Sequence, residues 1–182
     1  MNEIATVLDP AVIRSGFPSL RDGRVFLDNP GGTQVHTSVY AAVADYWREQ
    51  NANLGGPFAT SVASDRMLAD ARAQAAAFLG AQAGEIVFGA NMTTLTMHAS
   101  RTLFRELGPG DEVLVTGLDH DANVAPWLLA AEDRGVTVRQ VGIDPDVCVI
   151  DPNVFAGLLS DRTRVAAFGW ASNGAGTVND VA

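Results

Sequence analysis

Three short stretches hold residues whose types and spacing could do chemistry. In 89–94, Gly-Ala-Asn-Met-Thr-Thr, a turn of small residues leaves backbone N–H groups available, and two threonine hydroxyls follow. If that turn opens a helix, the positive end of the helix dipole adds to those amides. The stretch could then cradle a phosphate without a lysine. The same residues also suit a plain helix cap made by Asn91 or Thr93. In 118–123, Leu-Asp-His-Asp-Ala-Asn, His120 stands between two carboxylates. It could act as a general base or as a stacking ring, or sit solvated and salt-bridged to its neighbours. A metal would need a further ligand type at suitable spacing, and no such set converges nearby in the sequence. In 171–177, Ala-Ser-Asn-Gly-Ala-Gly-Thr, small residues let backbone approach a ligand, and Asn173 offers a donor and an acceptor. An ordinary strand-to-helix loop would use the same residues.

The elements that must position these loops follow from periodicity. Residues 10–14 read as a short helix after Asp9, with Pro10 at its start. Residues 25–27 (VFL) read as a short strand-like piece, ended by the dense turn signal of 28–32. Helices are expected over 34–50 and 61–79. Val35, Val39, Val43 and Tyr46 recur at helical spacing in the first, and Met67, Ala71, Ala75 and Phe78 in the second, which stops at Gly80. Strands are expected over 85–88, 112–116 (EVLVT), 136–141 (VTVRQV) and 164–169 (RVAAFG), with helices over 92–107, 122–134 and 152–160. This alternation implies βαβ units, so the fold class is α/β with a mostly parallel sheet covered on both faces. Ligands of such sheets bind at the carboxyl ends of the strands, where the three loops would lie.

Composition bounds the chemistry. The chain has 182 residues, long enough for a sizeable core, and 47% of them are hydrophobic. The formal charge is −9, which disfavours nucleic acid and anionic membrane surfaces but still permits a local anion nest. All 12 basic residues are arginines, so any step that needs a lysine is closed to these residues. One cysteine, Cys148, allows no internal disulfide and fits a reducing, cytoplasmic setting. It reads as a small, partly buried hydrophobe. No signal peptide or membrane-length apolar run is evident.

Taken together, FLDNPGGTQ (26–34), EIVFGANMTTLT (85–96), GPGDEVLVTGLDHDANVAPW (108–127) and SNGAGT (172–177) resemble the class V aminotransferases of pyridoxal-phosphate fold type I, in that family's order and spacing. The similarity is strongest to the cysteine desulfurase-like branch and spans the chain from about Arg14. It implies a three-layer α/β/α large domain and pyridoxal 5'-phosphate as cofactor. It further implies an N-terminal segment over 1–15 and an incomplete cofactor-binding large domain over 16–182, cut before its last strands. By the resemblance, Met92 and Thr93 hold the cofactor phosphate. His120 stacks on the pyridine ring and relays a proton, Asn123 lines the same pocket, and Asn173 hydrogen-bonds the phenolic oxygen. Gly31, Gly32 and Thr33 sit beside the substrate carboxylate. The loop 53–61 resembles a segment that helps form the site at a dimer interface.

The resemblance also implies a small amino-acid substrate, with C–S or C–Se cleavage favoured, and a homodimer when full length. Aminotransferase, epimerase or hydrolase chemistry of the same superfamily is the alternative. So is a non-catalytic remnant that binds a phosphate ligand or a partner. Two departures bear on substrate: Asp121 stands where desulfurases often carry a second His, and Thr94 where a Glu often follows the phosphate threonine. The family's sulfur-accepting Cys lies far downstream of Cys148. The family's ring-nitrogen Asp, its cofactor-bearing lysine and its carboxylate-gripping Arg are expected beyond residue 182. The 182 residues alone are then expected to bind the cofactor weakly and non-covalently. Residues 85–88 become an orphan strand beside unpaired sheet edges, which predicts marginal stability or aggregation.

Overall fold

The computed structural model describes residues 8–181, which fall into two compact units, Met1–Val87 and Phe88–Ala182. In the first unit, α1 (Pro10–Ser15) starts as expected: the Asp9 carboxylate accepts from the Ala11 amide at 2.9 Å. The end of α1 is tied to the start of α2 (Thr37–Glu49), because the Thr37 amide and hydroxyl both donate to the Gly16 carbonyl, at 2.9 and 2.6 Å. The third helix, α3 (Ala59–Leu79), stops at Gly80, whose φ of +68° is the left-handed cap that glycine adopts without strain.

The face expected on α3 is not the buried one. Phe78 is exposed, and the buried positions are Ser61, Ser64 and Ala76. The serines are buried because they serve the preceding loop. Ser61 Oγ donates to the Asn53 carbonyl at 2.5 Å and accepts from the Gly56 amide at 2.7 Å, and Ser64 Oγ donates to the Gln50 carbonyl at 3.0 Å.

Two expected strands do not form. Residues 25–27 and 86–88 carry no regular secondary structure, Glu85 ends a 3-10 turn, and among the described residues none of them pairs with a strand. A short apolar run becomes a strand only when a neighbour takes up its backbone groups. For 86–88 this is the orphan expected from the sequence.

In the second unit, α4 (Met92–Leu103) runs into a tighter 3-10 turn over Phe104–Glu106, where one continuous helix was expected. Next come β1 (Glu112–Thr116), α5 (Ala125–Arg134), β2 (Thr137–Val141), α6 (Pro152–Leu158) and β3 (Thr163–Ala166). The strands form a parallel sheet in the order β2-β1-β3, with Glu112 opposite Thr137 and Leu114 opposite Arg139 on one side and Ala166 on the other. The right-handed crossover rule sends α5 and α6 to opposite faces, since one connection moves outward from β1 and the other returns past it. That is the layering of the expected α/β/α class. All five residues of β1 are buried. Val113 and Val115 pack with Phe104, Trp127, Ala130 and Ala131, so α5 and the 3-10 turn after α4 pack on the strand that ends at the His120 loop.

The opposite, amino end of the sheet is closed by charge. Glu112 is 2% exposed and holds Arg139 at 2.7 and 3.1 Å, Arg162 at 2.5 Å and the Ser160 hydroxyl at 2.8 Å. The hydrogen bonds from Arg139 and Ser160, aided by the charges of Arg139 and Arg162, keep its carboxyl below the usual glutamate range. They outweigh burial, which pushes it up.

Candidate active site

Three loops of the second unit carry the expected cofactor residues. At the start of α4, Asn91 is the cap: its side chain accepts from the Thr94 amide at 2.9 Å. The capping alternative therefore holds for Asn91. It leaves the amides of Met92 and Thr93 without an acceptor among the described residues, and the Thr93 hydroxyl without a partner. A cap and unpaired donors thus coexist in one turn, because a helix start has more orphan donors than one side chain can satisfy.

Beyond β1, the chain turns through a 3-10 segment, Asp121–Asn123, capped by His120. The His120 Nδ1 accepts from the Ala122 amide at 2.9 Å, so the neutral ring carries its proton on Nε2. His120 makes no ion pair with Asp119 or Asp121; the backbone, not the flanking carboxylates, fixes the ring. Thr93, Met97, His120, Asp121, Ala125 and Pro126 are among the residues lining one cleft of about 240 Å³. Two expected cofactor residues, from different elements, thus share a cleft.

Asn123 does not line that cleft. Both ends of its amide are engaged: Nδ2 donates to Asp119 Oδ1 at 2.9 Å, and Oδ1 accepts from Trp127 Nε1 at 3.2 Å. Asn173 lies exposed in a tight turn, where the Ser172 amide donates to the Thr177 carbonyl at 2.9 Å, and its side chain has no partner among the described residues.

In the first unit, the expected carboxylate loop is a 3-10 turn, Asn29–Gly31. The amides of Gly31 and Gly32 are already used within it, donating to the carbonyls of Asp28 and Asn29 at 3.1 and 3.0 Å. Thr33 shares a cleft of about 270 Å³ with Arg14, Asn29 and Gln34. Arg14 was not singled out by spacing as a site residue, yet its guanidinium pairs with no carboxylate among the described residues. Nor did pattern reading mark the buried Asn179. Its Nδ2 donates to the Gly169 carbonyl at 2.8 Å, its Oδ1 accepts from the Ile150 amide at 3.2 Å, and its own amide donates to the Trp170 carbonyl at 2.8 Å. An asparagine closing a strand-to-turn segment was the only sequence signal for it. Among the described residues no group of acidic, His and Cys side chains is placed to hold a metal, and no helix is long and apolar enough to cross a membrane. Cys148 is half-buried, with its thiol 3.7 Å from the Pro145 carbonyl.

The sequence and the fold match one family. The sequence pattern of aminotransferase class V fits residues 25–182, and the chain belongs to that family. It is 34% identical over 174 residues to the aminotransferase-like protein FGM3 of Gibberella zeae, covering 93% of this chain and 43% of the relative. It is 36% identical over 171 residues to a probable cysteine desulfurase of Methanothermobacter thermautotrophicus, covering 93% and 41%. Among solved structures, the cysteine desulfurase CsdA of Escherichia coli superposes with a TM-score of 0.81 at 29% identity, over 96% of this chain and 44% of that one. The chain therefore spans less than half the length of the relatives it matches.

Proposed function

We propose that the chain is the N-terminal, phosphate-holding part of a pyridoxal-phosphate-dependent enzyme that cleaves a C–S or C–Se bond in a small amino acid. The observation that carries this reading is the cleft shared by Thr93 and His120 beside the open start of α4. Its donors suit a dianionic phosphate: two amides without acceptors, one hydroxyl and the positive end of a helix. When bound, the cofactor supplies an electron sink for charge developing on the substrate carbon. His120 presents its ring to the cleft and keeps a proton on Nε2, where it can stack and relay that proton. Asn173, with a free amide, is suited to a phenolate oxygen. Arg14 and Thr33 share a cleft suited to a carboxylate, with Gly31 and Gly32 shaping the turn beside it. Asn123 supports the site from behind through Asp119 and Trp127. The absence of lysine from these 182 residues favours a coarser reading for the chain by itself, non-covalent binding without turnover. A homodimer, a cytoplasmic setting and a small-molecule partner belong to the proposal for the whole enzyme.

The test is equilibrium dialysis of the chain against pyridoxal 5'-phosphate and against pyridoxal. The phosphorylated form should bind at least tenfold tighter, and Thr93→Val should weaken it several-fold by removing one charge-assisted hydrogen bond. Borohydride treatment should leave no pyridoxyl adduct away from Met1, which lies outside the described residues. Equal binding of the two ligands, or an adduct mapped elsewhere in the chain, sinks this site assignment.

A further inference from the structure

We propose that Asp119, pressed against Gly169, is a positioning residue that fixes the His120 loop relative to the turn bearing Asn173; its importance for the cofactor rests on the function proposed above. The carboxylate is anchored at both oxygens. The Thr116 hydroxyl donates to Oδ2, and Asn123 Nδ2 donates to Oδ1 at 2.9 Å. Each donor is rooted in the core. Thr116 is the buried last residue of β1, and Asn123 is held by the indole of Trp127, which is 7% exposed in α5. Asp119 is therefore the point where the strand end and the helix start are joined, one residue before His120.

The opposite arm meets it at Gly169. A Cβ built there would lie 2.7 Å from Asp119 Oδ1, so a side chain at 169 would push the carboxylate away from its two donors. The Gly169 carbonyl is held by Asn179, whose amide closes onto Trp170. The bridge between Ala171 and Val178 then frames the Asn173 turn. Two hydrogen-bonded arms, one ending in His120 and the other in Asn173, thus touch through Asp119 and Gly169.

Other roles for Asp119 do not fit. It does not line the Thr93 cleft, so it is no ligand residue. Among the described residues it forms no ion pair, so none of their cations neutralises it. Its two acceptor oxygens meet two donors. That matching is lost in Asp119→Leu, which keeps the shape of the side chain but offers no acceptor to Thr116 or Asn123. The pattern is restored in reverse by the double variant Asp119→Asn/Asn123→Asp. Thr116 then donates to the new Asn, whose amide donates to the new Asp, which still accepts from Trp127.

The experiment reads the His120 ring nitrogens by NMR in the 15N-labelled chain without cofactor, then dialysis against pyridoxal 5'-phosphate. The parent should show one dominant Nε2–H form. Asp119→Leu and Gly169→Ala should each give a mixture of tautomers and bind the cofactor about tenfold more weakly. The double variant should restore the single Nε2–H form, which a purely structural role would not require. A parent with no dominant Nε2–H form overturns the proposal. So does a parent-like ring in both D119L and G169A, and so does loss of amide dispersion in all three variants, which would make Asp119 a core element. If the ring responds as stated but the parent does not bind cofactor, the functional reading fails and this one stands.

Discussion

The two units hold their helices by different means. In Met1–Val87 the buried residues of α3 are two serines and an alanine, and α2 has no buried residue. Val39, Val43 and Trp47 remain half or more exposed. Order there comes from side chains that satisfy backbone groups of the loop before α3. In Phe88–Ala182 a fully buried strand is packed by Phe104, Trp127 and two alanines, and its carboxyl end delivers the His120 loop. Apolar burial scales with area and fixes elements at a distance in sequence, whereas the serine bonds fix only the turn they touch. The expected phosphate and ring contacts lie on the apolar scaffold, and the expected carboxylate loop on the hydrogen-bonded one.

The largest effect that separates them comes from the core. Phe104→Ala should cost about 3–5 kcal/mol, since it leaves a cavity against Trp127, whereas Val39→Ala should cost under about 0.5 kcal/mol. Urea unfolding followed by fluorescence checks both, because Trp127 is the buried indole while Trp47 and Trp170 are 65% and 70% exposed. A V39A penalty as large as that of F104A would break the contrast and mean that the α2 face is covered in solution.

Acid should act next, and on the second unit. The folded Glu112 carboxyl lies below its ordinary value of 4.5, so in the acid range the unfolded chain binds this proton more readily than the folded one. The resulting stability is present above 4.5 and is lost as pH falls through the lowered folded value. The first unit's corresponding carboxyl, Asp22, is also held down by Arg24, but that pair is exposed and contributes little. Urea midpoints measured from pH 7 to 3 should therefore fall, and Glu112→Gln should flatten that slope. An unchanged slope in E112Q would assign the acid sensitivity elsewhere.

The same division decides what was legible in the sequence. EVLVT is a strand at both of its predicted ends, because a continuous apolar run flanked by Gly-Pro-Gly-Asp and Gly-Leu-Asp needs no distant information. The runs 25–27 and 86–88 have equally good local composition, but a strand also needs a neighbour, and local pattern does not contain one. The α3 face was misread because Ser61 and Ser64 are buried by carbonyls they bond, a cause invisible to hydrophobic spacing. At the site, small-residue loops at strand ends pointed to His120 and Thr93. Asp119, Gly169 and Asn179 went unmarked, since their partners lie across the fold and their residue types are common in any turn.

The smallest effect tests whether the serine bonds are local. Ser64 Oγ, with no exposed surface, donates to the Gln50 carbonyl at 3.0 Å across a loop of Asn and Gly residues. Ser64→Ala removes that donor and leaves the Gln50 carbonyl with one partner fewer, a loss of about 1 kcal/mol. Ser61 would still hold Asn53 and Gly56, so the loop should remain closed but open more often. Hydrogen exchange of the Gly55 and Gly56 amides should then quicken about fivefold, while the amides of β1 keep the rates of the parent. Faster exchange in β1 as well would show that the first unit's hydrogen bonds support the apolar core, and that the two means of holding helices are not separable.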